Sequence, residues 1–195
     1  MEKSLKGTKT AENLLKAFAG ESQARTRYTY YASAAKKEGY VQISNIFMET
    51  AENEKEHAKV FFKHLNKDLK GEAVTITADY PVGLGTTKEN LSYAVAGEHE
   101  EHSKAYPEFA RIAEEEGFKE IALSFRNISK VEERHEARFE KLLSNIENDT
   151  VFKKDETVLW KCNNCGYIHE GVEAPNVCPS CNHPKDYFEV FCENY

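Results

Sequence analysis

Small and apolar residues recur in steps of three and four along four stretches of the chain, with charged residues between them. The first stripe runs Leu14, Phe18, Glu21, Arg25, Tyr28, Ala32, Ala35, and the second Ile43, Phe47, Thr50, Glu54, His57, Phe61, Leu65. The third runs Leu91, Ala94, Glu98, Glu101, Ala105, Phe109, and the fourth Ile121, Phe125, Ile128, Glu132, His135, Phe139, Leu142. Such spacing marks one face of an amphipathic α-helix. It predicts helices over about 10–38, 40–68, 87–116 and 118–147. Gly39 and Gly117 stand where a left-handed C-cap ends the first helix of each pair. Thr86-Thr87-Lys88-Glu89 reads as a capping box opening the third helix.

Between the second and third helices lies Gly71 to Gly85, containing Val74-Thr75-Ile76-Thr77 and Tyr80-Pro81-Val82-Gly83. Neighbouring antiparallel helices need only a few linking residues. A connection this long predicts a crossover along the bundle, as in ferritin-like four-helix folds. The expected architecture is an all-α four-helix ferritin-like bundle with one long crossover over 1–150, then a small β/loop metal domain over 151–195.

The bundle sequence repeats itself. An offset of 78 residues pairs Gly39 with Gly117, Ile43 with Ile121, Phe47 with Phe125, Glu54 with Glu132, His57 with His135 and Phe61 with Phe139. Upstream, Gly20-Glu21 matches Gly97-Glu98 at an offset of 77, so the second copy holds one extra residue between Glu98 and Gly117. One residue added inside a helix makes a π-bulge, a feature frequent at functional sites. Pro107 lies in the same stretch.

The stripes carry the chemistry. Glu21, Glu54, His57, Glu98, Glu101, Glu132 and His135 occupy positions otherwise filled by Leu, Ile and Phe. Burying that many carboxylates without cations costs several kcal/mol each. Carboxylate oxygen with imidazole nitrogen, and no thiolate, suits iron or manganese. One Glu-x-x-His on a charged helix is usually a solvated accident. Here Glu54-Lys55-Glu56-His57 and Glu132-Glu133-Arg134-His135 stand in register across the duplication, each with a glutamate upstream. That arrangement is the one described for di-iron and di-manganese bundles. Glu101 has no counterpart in the first copy. It and His57 are candidates to compete for one metal, four carboxylates balancing two ferrous ions and a fifth serving the ferric pair. Tyr28 and Tyr106 are candidates to hydrogen-bond ligand carboxylates or bound peroxide. Glu114-Glu115-Glu116 and Glu133 read as solvated, and His64, His99 and His102 as surface or outlying positions, the last two flanking the site.

The tail differs in kind. After Val158-Leu159-Trp160-Lys161, a short predicted strand, come Cys162, Cys165, Cys178 and Cys181 as two CxxC pairs, a spacing that sets four thiolates around one metal. A segment this small needs that metal to fold. Tetrahedral sulfur alone does not separate iron from zinc. The aromatic residues Trp160, Tyr167, Tyr187, Phe188 and Phe191, and a redox-capable bundle in the same chain, favour iron, with zinc a possible substitute. Cys192 is a bystander.

Composition then removes classes. A net charge of −7 argues against nucleic acid or an anionic membrane as partner. No run of about 18 apolar residues is present for a membrane span. Met1 to Gly7 lacks the apolar core of a signal peptide, and cysteines in metal spacing suit a reducing cytoplasm.

The duplicated Glu-x-x-His bundle and the paired CxxC tail together resemble the rubrerythrins, whose ferritin-like di-iron bundle precedes a rubredoxin-type FeS₄ domain. The resemblance spans essentially the whole chain. It implies a peroxidase reducing hydrogen peroxide to water in oxidative-stress defence, NADH-linked through an external reductase or fed by rubredoxin. It implies iron ligands at Glu21, Glu54, Glu98, Glu101, Glu132 and His135, with Glu54 and Glu132 bridging and His57 exchanging with Glu101 on reduction. Cys162, Cys165, Cys178 and Cys181 match the FeS₄ ligands, and Asn182 stands where glycine often follows the last of them. The family also implies a head-to-tail homodimer. A tail lying beyond the end of its own bundle would pass electrons to the partner. The alternatives are a ferroxidase or iron-storage protein, and a zinc-ribbon interaction module on a structural bundle.

Overall fold

The computed structural model describes residues 3–194; Met1, Glu2 and Tyr195, the outer ends of the two expected domains, lie outside the described residues. Helix α1 spans Lys9–Lys37, α2 Val41–Leu69, α3 Thr87–Glu100, α4 Tyr106–Glu115 and α5 Lys119–Glu147. A π-helical turn, Glu101–Ala105, joins α3 to α4, so these form one rod and the bundle has four. Helix α1 packs on α2, and the α3–α4 rod on α5. The helices thus fall within a residue or so of their sequence expectation, and the π turn lies inside the stretch that holds the extra residue.

Each copy closes its first rod the same way. Gly39 and Gly117 adopt φ of +85° and +82°, a left-handed conformation that a Cβ disfavours. The Tyr40 amide then donates to the Ala35 carbonyl at 2.8 Å, and the Phe118 amide to the Ala113 carbonyl at 2.7 Å, the long bond of a Schellman cap. The preceding glutamates reach across the bundle. Glu116 accepts from the Thr10 amide at 2.8 Å, and Glu38 from the Thr87 amide at 3.0 Å. Each caps the first helix of the other copy, where an anion meets the positive helix end. Glu116 is therefore no solvated residue, contrary to the sequence expectation. Thr86 and Glu89 form the expected capping box.

Two apolar clusters fill the bundle with a polar layer between them. Leu14, Ala17, Phe61, Leu65, Tyr106, Phe125 and Ile128 belong to one; Ala24, Tyr28, Phe47, Ala51, Leu91, Ala94 and Phe139 belong to the other. Glu21, Glu54, Glu98, Glu132 and His135 sit in the gap between them, nearly inaccessible to solvent. The crossover has no regular structure but is pinned to the bundle: the Tyr80 hydroxyl donates to the Lys16 carbonyl at 2.8 Å and the Tyr31 hydroxyl to the Gly83 carbonyl at 2.9 Å.

The tail is a three-stranded antiparallel sheet in the order β2-β1-β3, built from Lys153–Cys162 (β1), Ile168–Glu173 (β2) and Phe188–Val190 (β3). Trp160, Cys162, Ala174, Cys178 and Phe188 make its small core, and the Trp160 indole N–H donates to the Gly171 carbonyl at 2.9 Å. Against expectation the tail does not stand clear of its own bundle. It folds back on the turn between α1 and α2, where Phe152 stacks on Tyr40 with ring centroids 6.2 Å apart. A Cβ on Gly39 would lie 2.9 Å from the Asp186 carboxylate, so this glycine also makes room for the tail.

Candidate metal centres

Four rods each send side chains into the polar layer, and the carboxylates converge as two overlapping groups. Glu21, Glu54, His57 and Glu132 bring ligand atoms within 4.8 Å of one another, as do Glu54, Glu98, Glu132 and His135. Glu54 and Glu132 belong to both groups, the positions that bridging carboxylates would hold. The His57 Nδ1 lies 2.9 Å from both Glu54 Oε2 and Glu132 Oε1. His135 Nδ1 lies 3.1 Å from Glu54 Oε1 and 2.8 Å from Glu132 Oε2. The two imidazoles face each other across the layer at 6.0 Å.

The electrostatics of this layer call for cations. Burial pushes the carboxyls of Glu21, Glu98 and Glu101 well above their usual range, reinforced by neighbouring carboxylates. Burial also opposes ionisation of Glu54, but the adjacent His135 and His57 imidazoles outweigh it and hold that carboxyl at about 2. Burial works against charging His135 too, yet Glu132 and Glu54 prevail and raise it to about 9. His57 is raised still further by Glu132, Glu21 and Glu54. Protons thus occupy the places where positive charge is wanted. Glu21 Oε2, Glu54 Oε1, Glu98 Oε2, both oxygens of Glu132 and His135 Nδ1 are buried without a well-aligned hydrogen bond, even where a close neighbour exists. Orphaned carboxylate oxygens of this kind are costly, and an ion in each group would satisfy them. The donor set fits iron.

Tyr28 and Tyr106 are related by the duplication and bond crosswise. The Tyr28 hydroxyl on α1 donates to Glu98 Oε1 at 2.5 Å, and the Tyr106 hydroxyl on α4 donates to Glu21 Oε1 at 2.5 Å. Tyr28 follows Glu21 by seven residues, whereas Tyr106 follows Glu98 by eight. The π turn absorbs the difference, its widened bond running from the Tyr106 amide to the Glu101 carbonyl. Glu101 opens that turn. Its carboxylate belongs to neither ligand group. It would lie 3.6 Å from a Cβ on Gly20, facing a cavity of about 610 Å³ lined by Arg27, Tyr80, Gly97 and Tyr106 among others. Tyr80, on the crossover, closes the same side of Gly20.

In the tail, Cys162 Sγ lies 3.8 Å from Cys181 Sγ, and Cys165 Sγ 3.6 Å from Cys178 Sγ. Four sulfurs about 2.3 Å from a common metal stand about 3.8 Å apart along tetrahedral edges. No disulfide joins them, and Cys162 and Cys178 are buried while Cys165 is exposed. A backbone N–H from His183 holds the Cys181 thiol below its ordinary range, which favours the thiolate a metal needs. Asn182 takes φ +59°, the conformation a glycine would adopt there, and its amide donates to the Cys178 carbonyl at 2.9 Å.

Sequence reasoning missed Arg27 and Tyr80, which reach the cavity only because the crossover folds over Gly20. It also missed Glu136. This residue accepts from His99 at 2.9 Å and from His102, both of which were expected to be peripheral. The i, i+3 spacing of the two histidines was the available signal.

Fold and sites together define a ferritin-like di-metal carboxylate bundle joined to a Cys₄ iron site of the rubredoxin kind. The family model described as "Rubrerythrin" matches residues 12–143, and that described as "Rubrerythrin, rubredoxin-like domain" matches residues 160–189. The chain belongs to the rubrerythrin family, iron-binding proteins associated with oxidative stress. It is 67% identical over 194 residues to rubrerythrin of Clostridium perfringens, covering 99% of this chain and 100% of that protein. It is 51% identical over 194 residues to rubrerythrin of Nitratidesulfovibrio vulgaris, covering 99% and 100%. Among solved structures, fully reduced, all-ferrous nigerythrin superposes with a TM-score of 0.64 at 32% identity, covering 96% of this chain and 92% of that one.

Proposed function

We propose that this chain is a non-haem di-iron peroxidase that reduces hydrogen peroxide to water, NADH-linked through an external reductase or fed by rubredoxin. The observation that carries the reading is the pair of buried ligand groups sharing Glu54 and Glu132, in one chain with a Cys₄ redox site. Glu21 with His57 would complete one iron site and Glu98 with His135 the other. Bound there, the metal pair supplies the electrons for splitting the O–O bond and Lewis-acid positions for its oxygens. The side chains do the rest. Tyr28 and Tyr106 hold Glu98 and Glu21 in place through their hydroxyls. Glu101, on the cavity side, and His57, inside the ligand group, are the two residues that exchange.

In this reading the bundle ends near residue 150 and the tail, 151–195, relays electrons in a cytoplasmic, head-to-tail homodimer. Exposed Cys165 offers an outward path for electrons. Phe62 and Leu123, both at least half exposed, offer a partner apolar surface to bury. The test is to reduce the protein without air, add hydrogen peroxide, and follow the red colour of ferric FeS₄. Prompt return of the colour with peroxide, faster than with dioxygen, is expected. Return with dioxygen alone, accompanied by iron mineral, would make the chain a ferroxidase instead.

A further inference from the structure

Beyond the buried groups and the four cysteines, one more cluster of metal-capable side chains stands among the described residues: His99, His102 and Glu136. His99 lies in the last turn of α3 and His102 in the π-helical turn that follows. Residues three apart share a helix face, so both imidazoles present toward α5. Glu136 comes from α5, one residue after His135. His99 Nδ1 is 2.9 Å from Glu136 Oε1, and His102 Nε2 bonds Glu136 Oε2. The imidazole rings stand edge to face at 5.4 Å. The Ser129 hydroxyl donates to the His102 carbonyl at 3.0 Å, fixing the π turn against α5 at this point.

Three features distinguish this cluster from ordinary paired surface residues. The three ligand atoms lie within 4.8 Å of one another. An ion about 2.0–2.2 Å from each nitrogen and oxygen holds tetrahedral donors about 3.3–3.6 Å apart, a spacing that lies within that limit. The Glu136 side chain is 14% exposed, and both its oxygens face imidazole rather than a lysine or arginine. The His99 side chain is 56% exposed, so one side of the cluster is open to arriving ions and to waters that would complete a coordination shell. His64 makes the contrast: its Nε2 meets only the Ser124 hydroxyl, at 2.9 Å.

We propose that His99, His102 and Glu136 form a third metal site of the bundle, one that takes a single borderline divalent cation such as zinc or ferrous iron. Two nitrogens and one carboxylate are the donors such ions prefer. The site is distinct from the buried pair but flanks it, because its three residues lie next to Glu98, Glu101 and His135 in sequence. It requires no peroxide chemistry, so it goes beyond the activity proposed above and does not depend on it.

The experiment uses the full iron-loaded protein. Zinc is added, unbound ion is removed, and iron and zinc are counted on the same sample; a crystal is measured on both sides of the zinc edge. One zinc per chain beyond the resident iron is expected, with an anomalous peak among His99 Nδ1, His102 Nε2 and the Glu136 carboxylate. His99→Ala, at an exposed position, and Glu136→Gln should each weaken that zinc about tenfold or more while leaving the iron count unchanged. No added zinc in the unaltered chain, undiminished zinc in His99→Ala, or a peak elsewhere would overturn the proposal. If the buried groups failed to hold iron, the resident count would show it separately and the zinc result would stand on its own.

Discussion

The two halves of the bundle are built to one plan and differ by one residue. Each supplies an upstream glutamate, a Glu-x-x-His pair and a tyrosine that bonds the other half's glutamate. Each ends its first rod on a left-handed glycine, and each lends a glutamate to cap the other. Only the second half carries the π turn, and that turn begins at Glu101, the carboxylate that has no twin. A perfectly repeated bundle would give two equivalent metal positions. The second half instead carries Glu101 where the offset of 77 puts Ala24 in the first, and that carboxylate lies on the cavity side, at the start of the π turn. In the proposed reading this asymmetry gives one metal position two candidate ligands, Glu101 and His57.

The largest effect is expected from removing a residue that both ligand groups share. Glu132→Ala should empty the buried site of its two irons and abolish peroxide turnover, with the FeS₄ colour retained; elemental analysis and visible absorbance read both. Cys178→Ser should do the reverse, and mixing the two variants tests the electron route. Restored activity in the mixed dimer is expected for transfer between subunits. Because the tail folds back on α1 and α2, activity that stays at zero would assign transfer to a single chain.

Deleting Ser103 should return the π turn to regular helix and leave Glu101, opposite Ala24 of the first copy, as the remaining difference between the halves. Reduced-state iron content should stay at two in the bundle, while turnover falls by about 10–100-fold, the range for residues that tune a metal site. Unchanged kinetics would show that the asymmetry is not used.

The paired tyrosines predict a smaller effect. Tyr28→Phe and Tyr106→Phe each leave a buried carboxylate oxygen without its donor, costing about 1–3 kcal/mol in the metal-free protein. Denaturant midpoints should fall equally in both variants if the halves are equivalent in this respect.

The metal-free protein should also respond to pH in a direction that iron loading removes. Glu21, Glu98, Glu101 and His135 are all raised in the folded state, so they favour folding below their unfolded values and lose that contribution as pH rises. For His135 the loss runs from its ordinary 6.5 to about 9. Glu54, held at about 2, works oppositely and only in strong acid. The melting temperature of the iron-free chain should therefore drop between roughly pH 6.5 and 9, and that of the loaded chain should not.

Most of this site was readable before any fold was known, for a definite reason. The ligands sit on helices, where a period of 3.6 residues converts spacing into direction, and the duplication supplies a second copy for comparison. Glu21, Glu54, Glu98, Glu132, His57 and His135 were visible as charged residues in apolar positions. The one-residue change of offset revealed the π turn. What stayed hidden depends on which rods are neighbours across space. Glu136 meets His99 and His102 only because α3 lies on α5, and Tyr80 joins Arg27 in lining the cavity only because the crossover folds over Gly20. Glu116 looked like one more acid in an acidic run, since its partner, Thr10, lies in the other copy. The docking of the tail escaped for the same reason, as a linker's length does not say which way it turns.

The exchange proposed for Glu101 and His57 takes place at the iron that would sit beside Glu21. Crystal structures of the oxidised and the dithionite-reduced protein, with iron located by anomalous scattering, test it directly. The iron beside Glu21 is expected to be bound by Glu101 when oxidised and by His57 when reduced, while the iron beside His135 keeps its ligands. The same ligand on that iron in both states would contradict it.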